Sequence, residues 1–201
     1  MSTPEEKVYT YFFECLCKMQ PLSEDTKKML LEESNYMQFP ARKLLLEQPS
    51  KSKHIYFIAK GVCRTYFTAN EKEYVTNIAC EGSFLTSYAS FLGDGNSCEC
   101  IESISNMECI AISRAGLNKM INKSSEINKI YKKILETYIV EKEFIQYICR
   151  KEDAFNRCSY FMGQRKYKEL INRISTMHVA SFLHMSTETF CRMRKKILII
   201  N

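Results

Sequence analysis

The chain has 201 residues, 45% of them hydrophobic, with 6 Gly and 4 Pro, which marks a folded globular chain and excludes a disordered or low-complexity polymer. Its formal net charge is +6, and no stretch approaches the roughly 18 uninterrupted apolar residues of a membrane-spanning helix. The start, Met1 to Lys7, lacks a basic segment leading into an apolar one, so we expect a cytoplasmic protein with no membrane partner.

Pro4 to Met19 reads as an amphipathic helix, because Val8, Phe12, Cys15 and Met19 recur at helical spacing. Leu22 to Glu33 reads as a second helix, with Ser23 as its cap and Glu24 and Asp25 in its first turn. From about Tyr36 to Ile112 the texture changes to short apolar runs separated by turns. The clearest runs are 55–59, 62–67, 74–79, 101–104 and 109–112, broken at 60–61, 69–72, 81–82, 93–96 and Asn106. Several short strands at this spacing predict an antiparallel roll or barrel.

Ser124 and Ser125 then open a long helix reaching about Arg150. Ile127, Tyr131, Ile134, Tyr138, Ile145 and Ile148 form one apolar stripe, and Leu135, Ile139, Phe144 and Tyr147 form a second. A helix apolar on two sides must be covered twice, which predicts packing on its own roll and on a partner chain, burial within one chain being the alternative. Asp153 to Met162 continues as a helix, and 163–168 is a basic connection.

Residues 175–196 carry two short helical patterns with a tight break between them. The first runs from a cap at Ser175 or Thr176 through Leu183, with Val179, Ala180 and Leu183 on one face. The small Ala180 permits the close crossing of a helix-turn-helix. His184, Met185 and Ser186 form the turn, with Ser186 as cap of the second helix and Glu188 in its first turn, where the helix dipole favours an anion. Phe190 and Met193 face inward and leave Thr187, Glu188, Cys191, Arg192, Lys195 and Lys196 outside. Arginine can pair with guanine, glutamate can accept from cytosine, and lysines hold phosphates. His184 takes the turn position where glycine supplies a left-handed backbone, at a cost of about 1 to 2 kcal/mol. Two helices of an ordinary all-α unit can imitate this pattern, but charge argues against that. From residue 157 onward nine Lys and Arg stand against two Glu, so this tail carries +7 and the rest of the chain −1. That is the electrostatic footprint of a nucleic-acid-binding unit.

The ten cysteines form no C-x-x-C pair, and His54, His178 and His184 accompany none of them at ligand spacing. They read as reduced thiols serving as small hydrophobes, with a redox pair at Cys98 and Cys100, on one face of a strand, as the alternative. No metal site is predicted. The roll contains only His54, and no nucleophile and base stand together, so an enzyme is the weakest reading.

Two helices, a short-stranded roll, a long two-faced helix and a basic helix-turn-helix, in that order, resemble the family of the cyclic-AMP receptor protein and the FNR regulators over nearly the whole chain. The most specific stretches are 178–183 followed by Ser186-Thr-Glu-Thr-Phe-Cys-Arg192, and 55–61 leading to Gly82-Ser-Phe84. The resemblance implies an α+β chain with three parts. An N-terminal double-stranded β-helix (jelly-roll, cyclic-nucleotide-binding-like) domain spans 1–123, a dimerisation helix spans 124–150, and a helix-turn-helix domain with a reduced or absent wing spans 151–201. It implies a homodimeric transcription regulator with double-stranded DNA at a pseudo-palindromic site, a small-molecule effector and RNA polymerase as partners. Glu188 and Arg192 match the family's base-contacting positions, Thr187 a base-reading position often held by Arg, and Ser186 and Thr189 phosphate-contacting ones. Lys195 and Lys196 add phosphate contacts.

The ligand segment departs from the family. Thr86 and Ser87 stand where cyclic-nucleotide binders carry Gly-Glu, and Ser97 and Cys98 where they carry Arg and Ser or Thr. A buried cyclic phosphate without a cation costs several kcal/mol, so cyclic AMP is not expected as the signal, and no cofactor is assigned. A sensor module acting through protein contacts, with only nonspecific DNA binding, is the alternative function. Its ligand would lie among Thr86, Ser87, Tyr88, Ser97, Cys98 and Tyr138.

Overall fold

The computed structural model describes residues 2–168 and 170–200. Helix α1 is Pro4–Met19. The Thr3 hydroxyl accepts the Glu6 amide at 3.1 Å, while the Glu6 carboxylate accepts the Thr3 amide at 2.8 Å, a reciprocal cap. Helix α2, Glu24–Glu33, starts from the expected Ser23 cap.

Eight strands follow: β1 (Ser34–Phe39), β2 (Leu44–Leu46), β3 (His54–Lys60), β4 (Cys63–Ala69), β5 (Lys72–Ala79), β6 (Phe84–Leu85), β7 (Cys100–Ser103) and β8 (Met107–Ser113). They form two antiparallel sheets, ordered β1-β8-β3-β6 and β2-β7-β4-β5, a jelly roll. Gly61 turns the chain from β3 to β4 at φ 106°, and a Cβ there would meet the Asn106 carbonyl oxygen at 2.6 Å, so only glycine fits. Between β4 and β5, Asn70 and Glu71 both have positive φ and Ala69 pairs with Lys72, a two-residue turn of type I′.

Alternation along the strands makes three layers. Tyr56 and Ile58 of β3 and Cys109 and Ala111 of β8 point between the sheets. Ile55, Phe57, Ile110 and Ile112 point outward, under α1, α2, the helix α4 (Arg114–Lys123) and the first half of α5 (Ser125–Lys151). The outer face of the second sheet, with Val62, Tyr66, Val75 and Ile78, is covered by the C-terminal helices. These are α6 (Ala154–Gly163), α7 (Arg165–Lys168), α8 (Thr176–Phe182) and α9 (Thr187–Ile200).

The sequence expectations need four corrections. Strands β1, β2 and β6 and the short helix α3 (Tyr88–Leu92) lie in segments given no element, because they are short or lack period-two alternation. Helix α4 was masked by Gly116 and Asn118, poor helix formers that its Ser113 cap and buried Leu117 and Met120 override. Cys98 and Cys100 do not share a strand face: β7 begins at Cys100, which is buried, while Cys98 is exposed in the bend before it. On α5, Ile127, Ile134 and Ile148 are buried as expected together with Ile130, and Leu135 joins the core of its own chain. Ile139, Phe144 and Tyr147 remain exposed.

Arg64 on β4 is the buried cation of the second sheet's outer face, with its side chain 5% exposed. It lies 2.6 Å from carboxylate oxygens of both Glu73 and Glu102 and 4.1 Å from the Tyr66 ring centre. Two carboxylates and an aromatic face offset its desolvation. Arg64→Met should therefore lower unfolding free energy by about 3 kcal/mol in urea titration, because it leaves two carboxylates facing each other. A loss below about 1 kcal/mol would mean that solvent, not Arg64, balances them.

Candidate DNA-reading unit and ligand segment

The Ser175 hydroxyl accepts the Met177 amide at 3.3 Å and opens α8, whose Val179, Ala180 and Phe182 are buried. Leu183 is also buried, and His184 follows at φ 54°, the left-handed turn expected there. The Met185 amide closes this turn on the Ala180 carbonyl at 3.0 Å. Arg157 of α6 holds it from outside, its Nη1 reaching the carbonyls of His184 at 3.2 Å and of Cys149 at 3.4 Å. Ser186 then caps α9, accepting the Thr189 amide at 3.2 Å.

On α9 the apolar side is Phe190, Met193 and Ile197, all buried. Glu188, Arg192 and Lys195 recur at i, i+4 and i+7 on the opposite side and are exposed, with Lys196 and Ser186 also exposed and Thr187 and Thr189 half-buried. The carboxyl of Glu188 lies below its ordinary pKa, held there by its own backbone amide and by Ser186 at the helix start. All seven predicted DNA-binding residues thus lie on the capping turn or outside the helix's apolar seam. The charged side can meet phosphates and base edges while the seam holds the helix in place.

His178 of α8 faces the Arg64 cluster, and among the described residues its buried Nδ1 has no hydrogen-bond partner. Burial and then Arg64 hold its pKa below the ordinary value, against the opposing pull of Glu73 and Glu102. A depressed histidine pKa contributes stability above the unfolded value of about 6.5 and loses it as pH falls through the folded value.

The ligand segment is built differently. Thr86, Ser87 and Ser97 are buried, with their hydroxyls engaged inside the protein. Thr86 Oγ1 donates to the His54 carbonyl at 2.8 Å and lies 3.0 Å from Ser52 Oγ. Ser97 Oγ is 2.8 Å from Ser87 Oγ and accepts the Glu99 amide at 3.0 Å. Tyr88 and Tyr138 are brought together, with ring centres 3.9 Å apart in a stack, and burial pushes the Tyr138 phenol up to about 12. They line a cavity of about 280 Å³ between the Gly82–Phe84 turn and α5, together with Glu81 and Glu141. Among the described residues that line it, none is cationic. Glu81 and Glu141 are its charged lining residues, and the Arg173 guanidinium donates to the Glu81 carboxylate at 2.9 and 2.6 Å.

Sequence reasoning missed Arg157, Ser181 and Arg173. Each bonds a group at least eight positions away along the chain, and no local spacing signals such a partner.

Two outcomes follow. His184→Gly should raise stability by about 0.5 to 1 kcal/mol in thermal unfolding, because glycine relieves the left-handed backbone at some cost in chain entropy. A loss of stability would mean that the imidazole itself holds the turn. Stability should also fall between about pH 7 and pH 5, and fall less in His178→Gln; equal slopes for the two proteins would remove His178 as the source.

Residues 36–124 match the family described as the cyclic nucleotide-binding domain. No curated protein matches the chain at the level of sequence. Among solved structures, FixK2 from Bradyrhizobium japonicum is similar with a TM-score of 0.69 and 13% identity, covering 83% of this chain and 85% of its own. The c-di-GMP responsive global regulator CLP of Xanthomonas campestris gives 0.68 and 16%, covering 88% and 92%. The catabolite activator protein of Thermus thermophilus gives 0.56 and 18%, covering 92% and 86%. The fold is therefore that of the Crp/Fnr regulators, a cyclic-nucleotide-binding-like jelly roll followed by a long helix and helices that fit a helix-turn-helix.

Proposed function

We propose that the chain is a homodimeric, sequence-specific DNA-binding transcription regulator of the Crp/Fnr type whose signal is not cyclic AMP. The observation that carries this reading is α9. A Ser186 cap and a left-handed turn present Glu188, Arg192 and Lys195 opposite a buried seam, in the only strongly basic part of the chain. Ser186, Thr187, Thr189 and Lys196 add backbone contacts to double-stranded DNA. The division 1–123, 124–150 and 151–201 separates input, dimerisation and output, and RNA polymerase is the partner that would read the bound dimer.

Dimerisation is assigned to α5, where Ile139, Val140, Phe144 and Tyr147 are 56%, 66%, 44% and 51% exposed on one chain. Two such helices side by side would cover these apolar residues and set the recognition helices about 34 Å apart, one turn of DNA. Phe144→Glu should therefore convert a dimer to a monomer in sedimentation at micromolar concentration. A monomeric wild type would contradict the assignment.

Binding-site selection should return a two-fold symmetric consensus. Arg192→Ala should then relax preference at one base pair by about 1 to 3 kcal/mol, while Lys196→Ala weakens all sequences alike and lowers the salt slope. No consensus at any salt would overturn the function.

A further inference from the structure

The roll has an opening between its two sheets. Strands β1 and β2 are each outermost in their sheets, and both border the open side of the sandwich. Met37 and Phe39 of β1 pair with Cys109 and Met107 of β8 and so point, with them, between the sheets. Met37 nevertheless stays exposed, as does Leu44 of β2. The two strands enclose a cavity of about 290 Å³, at the small end of the range for ligand sites, about 300 to 1,000 Å³. It shares no lining residue with the cavity beside Tyr88 and Tyr138.

Its lining combines apolar walls with unpaired positive charge. Leu44, Leu45 and Leu46 come from one sheet, and Met37, Phe39 and Tyr56 from the other. The Tyr56 ring lies 6.3 Å from that of Phe39 and 5.9 Å from that of His54, yet among the described residues its hydroxyl makes no hydrogen bond. Lys51 and Lys53 also line the cavity, both are exposed, and none of the described lining residues is acidic. Among the described residues neither lysine has an ion pair, and Lys51 reaches only the Asp94 backbone carbonyl, at 3.4 Å. The Lys53 charge is felt inside the site: after burial, it is the cause that holds the His54 imidazole below its ordinary pKa, which leaves the ring neutral at pH 7. Positive charge over apolar walls favours a molecule with one anionic end and an apolar body. The Tyr56 hydroxyl and the neutral His54 ring are donors of the kind that the two oxygens of a carboxylate accept, and leucine and methionine walls adjust to a flexible chain.

We propose that the open side of the roll between β1 and β2 binds a medium-chain acyl carboxylate, its carboxylate held by Lys51 and Lys53 and its chain laid between the leucines of β2 and the side chains of Met37 and Phe39. The site is made by the roll alone and is independent of the DNA-reading function.

The test titrates the full-length chain with octanoate, hexanoate and the neutral n-hexanol, each to about 10 mM, where even a millimolar site fills, and follows backbone amide shifts by NMR. Octanoate should bind saturably, with shifts clustered at 37–46 and 51–56. Hexanoate should bind about tenfold more weakly than octanoate, because two fewer methylenes leave water. Hexanol should bind at least about fivefold more weakly than hexanoate, because it forms no ion pair with the lysines. Lys51→Gln combined with Lys53→Gln replaces two exposed, unpaired side chains; it should leave the unfolding temperature unchanged and weaken octanoate at least about fivefold. Met37→Glu sets a carboxylate at the opening and should weaken it in the same sense. Absence of saturable octanoate binding to the wild type, binding as tight to the lysine variant as to the wild type, or shifts clustered beside Tyr88 and Tyr138 instead would each overturn the site and leave the DNA-reading function standing.

Discussion

The outer face of the β2-β7-β4-β5 sheet is the constraint on which the rest of this molecule depends. A jelly roll has two outer faces to cover, and here each is covered by a different part of the chain. The first sheet takes the N-terminal helices and the start of α5. The second takes the C-terminal helices, so that Val62, Tyr66, Val75 and Ile78 of the roll and Phe161, Leu170, Phe182 and Phe190 of those helices and their connections are buried together. At about 25 cal/mol per Å² of apolar surface removed from water, several large side chains buried this way hold the unit against the roll by many kcal/mol in gross terms. The polar contacts along β5 add little net energy, yet they set register, because each satisfies a strand-edge group that would otherwise face water or a stray strand.

The same economy of polar groups explains the ligand segment. Ser52, Thr86, Ser87, Ser90 and Ser97 are buried hydroxyls that bond to one another or to backbone, and they leave no charged group in the knot. These neutral hydroxyls are engaged with internal partners, which is how the segment buries polar groups. The nearby cavity is lined by the stacked Tyr88 and Tyr138 and by Glu81 and Glu141.

Much of this was legible in the sequence, for a physical reason that can be stated residue by residue. Caps are local: Ser23, Ser124, Ser175 and Ser186 each accept an amide two or three positions on, and each was visible as a small polar residue before a periodic run. The left-handed turn at His184 was equally visible, because the spacing of two helices demands it whichever residue stands there. What the sequence hid was whatever depends on distant partners or very short elements. Strand β6 has two residues, and Ser181 meets Val75 across 106 positions. The alternative of a same-face pair at Cys98 and Cys100 fails because the strand starts at Cys100, two residues too late for Cys98, a boundary that alternation alone cannot locate.

The second sheet and the helix-turn-helix share one buried core, which makes them a single cooperative unit. Native-state hydrogen exchange across a urea series measures this directly, because the amides of Val75 on β5 and of Val179 and Phe190 on α8 and α9 each report the opening that exposes them. If the core is shared, the three amides exchange through one opening, with the same free energy and the same dependence on urea. If Val179 and Phe190 open at a lower free energy with a small urea dependence while Val75 stays protected, the helix-turn-helix is only loosely attached to the roll, and the claim fails.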